Sequence, residues 1–256
     1  MEAFLNQVPL LLLISTRLIG MMISSPVFSN RFVPPQLRFA LSFLLAFAIL
    51  PGVAAPAPLP DGAGLLIAVL MEMLTGLVIG FITALVLAVM QIAGALIDLD
   101  MGFTLVNVLD PMTGHNDSIL GSLFQSLVLV FYLGLNAHHW LIRALVQSYE
   151  LVPAGGRIQG VGGALYVVYL FGDLLALAVQ IVLPFTAVML LTMLAFSGVN
   201  RAVAQMNIFA LGLGTKSLVG LLILVLLLPY YAQPMTRIIE ASYRELLHVL
   251  DLMRPS

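Results

Sequence analysis

Residues 97–121 read IDLDMGFTLVNVLDPMTGHNDSILG and hold four carboxylates, Asp98, Asp100, Asp110 and Asp117, with no Lys or Arg among them. Acids at this density suggest a calcium loop or paired acid–base chemistry. The calcium pattern fails, because counting from Asp98 puts Gly102 at the fifth ligand position and no Glu at the twelfth. Acid–base work by two carboxylates is chemically open, but acids close in sequence more often form a solvated face. Two other stretches invite chemistry and lose it on inspection. LGLGTKS (211–217) resembles a phosphate loop, yet Thr215 stands where a glycine must directly precede the lysine. His138 and His139 are adjacent, so on a helix their side chains diverge by about 100°, whereas zinc-binding pairs use i,i+4 spacing. With Trp140 they read as an interfacial cluster. There is no cysteine, so no disulfide and no thiolate metal site. The sequence therefore predicts a protein without catalysis, cofactor or metal.

What the elements must position is then a mechanical problem. Of the 256 residues, 61% are apolar and only 9% charged, too little polar cover for a soluble fold. The net charge of −2, with scattered basic residues, is no footprint for nucleic acid. The fold class is an all-α integral membrane protein of long, kinked helical hairpins. The start, MEAFLNQVPLLLL, lacks a basic n-region and reads as a retained helix rather than a cleaved signal.

Six apolar blocks lie at 5–27, 39–57, 65–97, 118–142, 164–197 and 206–232, followed by an amphipathic helical tail at 236–256. No domain boundary is visible. A bilayer core of about 30 Å needs about 20 helical residues, and the third block would reach about 50 Å. Pro184 in the fifth block favours a kink. Gly76 and Gly80, spaced as GLVIG, either allow close approach of a second helix or simply belong to a glycine-rich apolar helix. Arg17, Glu72, Asp173 and Lys216 interrupt the blocks, and Asp98 closes the third. Each charge would cost about 2.5–3.5 kcal/mol at a lipid midplane, so partners or protein must cover them; the sequence leaves the pairing open. Arginine distribution orients the spans weakly. Arg143, Arg157, Arg237, Arg244 and Arg254 fall on one side, expected to be cytoplasmic, against Arg31, Arg38 and Arg201 on the other.

In the opening stretch, Asp98 and Asp100 end the third helix, MGFTLVNVL is too short to span, Asp110-Pro111-x-x-Gly114 makes a turn, and Asp117 or Ser118 caps the next helix. Such a loop fits either a segment that blocks a pore or an ordinary re-entrant loop.

The order and spacing of RLIGMMISSPVFSNRFVPPQLRFALSFLLAF (17–47), EMLTGLVIGF (72–81), QIAGALIDLDMGF (91–103), LDPMTG (109–114) and LNAHHWLI (135–142) resemble the FliR family of type III export-gate proteins, flagellar and injectisome. The resemblance implies a non-enzymatic subunit built like one FliP and one FliQ joined. It would close a FliP–FliQ–FliR assembly on the bacterial inner membrane, in the flagellar basal body, raised toward the periplasm. FlhA and FlhB would complete the gate, and unfolded flagellar subunits would pass through it. It further implies a pore plug at 103–115, carried by Phe103, Leu105, Val106, Val108, Leu109, Asp110, Pro111 and Gly114, with aliphatic rather than aromatic sealing at Leu105 and Val108. The competing readings are an injectisome gate subunit and a secondary transporter with broken helices.

Overall fold

The computed structural model describes residues 7–29, 33–54, 62–104, 118–156, 160–202 and 208–254. The chain is all-α, and no strand occurs among the described residues. Helix α1 spans Val8–Ser24, with a proline in its first turn, where the missing N–H is harmless. It stops at Ser25, whose extended backbone (φ −73°, ψ 128°) is what the following Pro26 imposes. The elbow ends similarly: Pro34 is extended and Pro35 opens α2, Pro35–Ile49, which runs into a 3₁₀ turn, Leu50–Gly52. Helix α3 covers Ala63–Met101. It closes on Gly102 at φ 84°, with Phe103 N–H donating to the Asp98 carbonyl (3.1 Å) and Gly102 N–H to the Leu99 carbonyl (3.2 Å). That pair of bonds is a Schellman stop, and the left-handed residue it requires is best supplied by glycine.

Helix α4, Ile119–Gly134, and α5, Ala137–Leu151, meet at a 72° bend. Asn136 sits there in the left-handed region at φ 55°, a conformation Asn tolerates better than most residues. Helix α6 covers Gly160–Ala202 and passes through Pro184. Helix α7 covers Ile208–Leu252 and passes through Pro229 and Pro234. The sixth apolar block and the amphipathic tail, read separately in the sequence, are thus one helix. Each internal proline forfeits one backbone bond, and packing holds the helix on: Tyr231, between the two prolines, is fully buried, with its ring edge-on to Phe124 at 5.1 Å.

By length and composition four helical segments among the described residues can cross a membrane: α2 with its 3₁₀ extension, α3, α6 and α7. The bent α4–α5 pair makes a fifth if counted as one span. Helix α1, at 17 residues, is shorter than these, so the six blocks do not convert one for one into spans.

The chain forms two compact units. The first comprises Met1–Leu87, Tyr132–Phe171 and Ile239–Ser256. Its core sets Leu13, Ile14 and Met21 of α1 among Ile79 of α3, Leu145 of α5 and Leu250 of α7. The second comprises Ala88–Phe131 and Gly172–Ile238, with Met90 and Ile97 of α3, Phe124 of α4, Phe185 of α6 and Tyr231 of α7 in its core.

Candidate functional site

In the first unit, α1 and α3 cross at a stripe of small residues. A Cβ at Gly20 would lie 2.5 Å from the Met73 carbonyl, one at Gly76 would strike the Arg17 carbonyl, and one at Gly80 would strike Ser24 and the Met21 carbonyl. Ser24 uses the proximity to donate across to the Leu77 carbonyl at 3.0 Å. Glu72, Gly76 and Gly80 lie at i, i+4 and i+8, on one face of α3. The backbone approach that the glycines permit therefore brings Glu72 to Arg17.

Both charges are withdrawn from solvent, Arg17 at 0% and Glu72 at 2% exposure. The guanidinium grips the carboxylate with two prongs, Nε to Oε2 at 2.6 Å and Nη2 to Oε1 at 3.1 Å. Nη1 donates to Ser148 Oγ (2.7 Å) and Nη2 to the Val152 carbonyl (2.9 Å). These bonds satisfy all but one of the guanidinium N–H groups. The cation also stacks 3.9 Å over the Tyr149 ring, a cation–π contact strengthened by desolvation. Glu72 Oε1 accepts a further bond from Gly155 N–H at 2.8 Å. One ion pair thus fastens α1, α3, α5 and the turn after α5.

A second polar centre lies in the other unit. The Asp98 carboxylate, 3% exposed, accepts the Leu120 N–H at 3.1 Å and the Ser118 hydroxyl. Ser118 Oγ in turn accepts Gly121 N–H at 2.7 Å. The end of α3 thereby caps the start of α4, and an anion at a helix N-terminus is further favoured by the helix dipole. Thr186 of α6 donates to Asp100 at 2.5 Å, and Ser217 of α7 to the Met101 carbonyl at 3.3 Å. The last turn of α3 is held by all three neighbouring helices of its unit.

Of the residues singled out in the sequence, the structure brings Arg17 and Glu72 together beside Gly76 and Gly80. It buries Asp98, leaves Lys216 half-buried on α7 and exposes Asp173 on α6. The Arg17–Glu72 pair is the one ion pair among the described residues. Phe103 is half-buried just past α3; Leu105, Val106, Val108, Leu109, Asp110, Pro111 and Gly114 lie outside the described residues. No group of three or more His, Asp or Glu side chains able to hold a metal occurs among the described residues. Sequence reasoning misses Ser148, Tyr149 and Gly155. Ser148 shares the buried face of α5 with Leu141, Ala144 and Leu145, and a hydroxyl on an otherwise apolar face is the available signal.

Comparison with known proteins decides the family. The family described as bacterial export proteins, family 1, matches residues 8–242. The chain belongs to it. Export proteins similar to this one include the flagellar biosynthetic protein FliR of Bacillus subtilis (strain 168), 30% identical over 228 residues, 88% of each chain. FliR of Escherichia coli (strain K12) is 29% identical over 218 residues, 84% of this chain and 83% of its own. FliR of Caulobacter vibrioides is 26% identical over 253 residues, 97% of this chain and 99% of its own. Family and relatives together make the chain a flagellar biosynthetic export protein with several membrane-length apolar helices.

Proposed function

We propose that the chain is a non-enzymatic core subunit of a flagellar type III export gate, assembling with FliP and FliQ into the pore through which unfolded flagellar subunits cross the inner membrane, with FlhA and FlhB alongside. One observation carries the reading beyond the family: α6 is too long and too apolar for lipid alone. Its 43 residues make about 64 Å of helix, twice the ~30 Å hydrocarbon core. Large apolar side chains stay exposed from Leu165 to Leu194, about 44 Å along the axis. Exposed Asp173 interrupts that surface. Tilt averages about 20°, too little to sink such a stripe into one bilayer, so sister subunits must cover part of it.

By the family resemblance, residues 103–115 form the pore plug. Its two flanks are the ends that the Asp98 carboxylate ties together, an anchorage suited to a segment held across a channel.

The test is the composition of the native complex after gentle detergent extraction through a tag on this chain. The expected result is a large hetero-oligomer containing FliP and FliQ. Recovery of a stable monomer carrying only lipid and detergent contradicts the proposal.

A further inference from the structure

In the second unit, α6 runs from Gly172 to its end at Ala202. One side of this stretch is packed, with Leu174, Ala178, Ile181 and Phe185 buried. The other side is open. At about 100° per residue, Gly172, Ala176 and Leu183 run down the middle of the exposed face and Val179 along one margin. Asp173 and Gln180 lie along the other margin, and all of these residues are exposed.

Asp173 is the one charged residue between Arg157 and Arg201, and it forms no ion pair among the described residues. Arg237 of α7, in the same unit and also exposed, is not paired with it. The carboxylate stands about 20 Å from the start of α6 and about 44 Å from its end. An aspartate side chain is too short to reach past either end. It therefore stays among leucine, valine and alanine side chains, where a charge is costly without a counter-ion.

Gly172 points the same way. A glycine inside a helix weakens it. Gly76, Gly80 and Gly94 offset that weakness by lying against the backbone of a crossing helix. At Gly172 a Cβ would meet nothing within 4 Å, so no contact within the chain uses the space. Gly172 and Ala176, four residues apart, form the small-residue step on which two helices approach closely. An approach there sets a neighbour's side chains directly against Asp173 and Gln180.

We propose that this face of α6 docks an apolar helix of another export-gate subunit, one that carries a basic side chain opposite Asp173 and a hydrogen-bonding side chain about two turns along, opposite Gln180. The proposal rests on the export-gate reading and deepens it, from cover of α6 in general to a partner of stated charge. Lipid tails offer no cation to Asp173 and no hydrogen bond to Gln180.

The test uses cells carrying the whole export system, with the complex extracted through a tag on this chain. Asp173→Arg sets like charges together in the contact, and recovery of the other subunits should fall by at least about tenfold. The amount of this chain in the membrane should not change, because Asp173 is exposed and holds nothing within its own fold. Asp173→Glu should retain recovery. A photo-cross-linking benzoylphenylalanine at Val179 then identifies the neighbouring segment. The expected adduct is an apolar helix of another export subunit with a Lys or Arg within two turns, and changing that base to Glu should restore recovery to Asp173→Arg. Full recovery with Asp173→Arg overturns the proposal, as does failure of the reversed pair to restore it. An adduct to lipid, or to a second copy of this chain, overturns it in favour of that occupant. Absence of every other export subunit from the unaltered preparation sinks the export-gate reading and this inference together, whereas a normal complex indifferent to Asp173→Arg sinks this inference alone.

Discussion

Arg17 is where the energetics are most concentrated. A buried ion pair contributes little net stability over an apolar pair of similar volume, because desolvation offsets the attraction. Removing one partner is another matter. Glu72→Ala would leave a fully buried guanidinium with only Ser148 and a carbonyl to satisfy it, at an expected cost of about 3–5 kcal/mol. The double change Arg17→Met/Glu72→Leu should recover most of that loss. Thermal unfolding of the unaltered chain, Arg17→Met, Glu72→Leu and the double variant completes a double-mutant cycle and measures the coupling. Additive losses would show that the pair is not a locking unit. Arg17 and Glu72 are both visible in the sequence as charges inside apolar blocks, and the demand for a partner follows from their cost in lipid. Which acid meets which base is not visible, since a contact 55 residues apart depends on how α1 and α3 cross. The glycines that set that crossing, Gly76 and Gly80, are legible as a spacing, while Gly20, their counterpart on α1, stands alone in its helix and carries no such mark.

At the level of elements, the local stops are readable and the long continuities are not. Of the two cap candidates, Asp117 and Ser118, it is Ser118 that accepts a first-turn N–H of α4, and the restriction on a residue preceding proline holds at Ser25. The sixth block, 206–232, and the tail, 236–256, are continuous in α7, because prolines that would break an isolated helix, at about 3 kcal/mol each, are tolerated where neighbours pack against it. Asp98 joins two elements. Asp98→Ala deprives the Leu120 N–H and the Ser118 hydroxyl of their acceptor, a cap loss of about 0.5–2 kcal/mol; Asp98→Asn keeps an acceptor oxygen and should be milder. Thermal unfolding of the two variants ranks them. If residues 103–115 plug the pore, shortening them, or releasing their flanks with Asp98→Ala, makes vesicles containing the assembled gate leak ions. Ion conductance equal to that of the unaltered gate in both cases counts against the plug.

For the molecule as a whole, composition is enough to place it in a membrane and to make it all-helical. Counting apolar blocks is not enough to give its spans, because α1 is too short, α4 and α5 bend at Asn136, and α3, α6 and α7 are longer than a bilayer requires. The surplus length and the apolar faces it carries are the features from which the proposed assembly with other subunits is argued. Since the chain has no cysteine, single cysteines on the exposed face of α6 give a clean readout of what covers it. Leu165→Cys, Val179→Cys and Leu194→Cys, at positions 57%, 51% and 69% exposed, are each expressed in cells carrying the whole export system and treated with a short thiol–amine cross-linker. The account predicts cross-links to other export subunits at one or both ends of the stripe. Failure to cross-link at every position, with all three thiols instead labelled by a lipid-soluble maleimide, would mean that lipid covers the whole length of α6 and would contradict it.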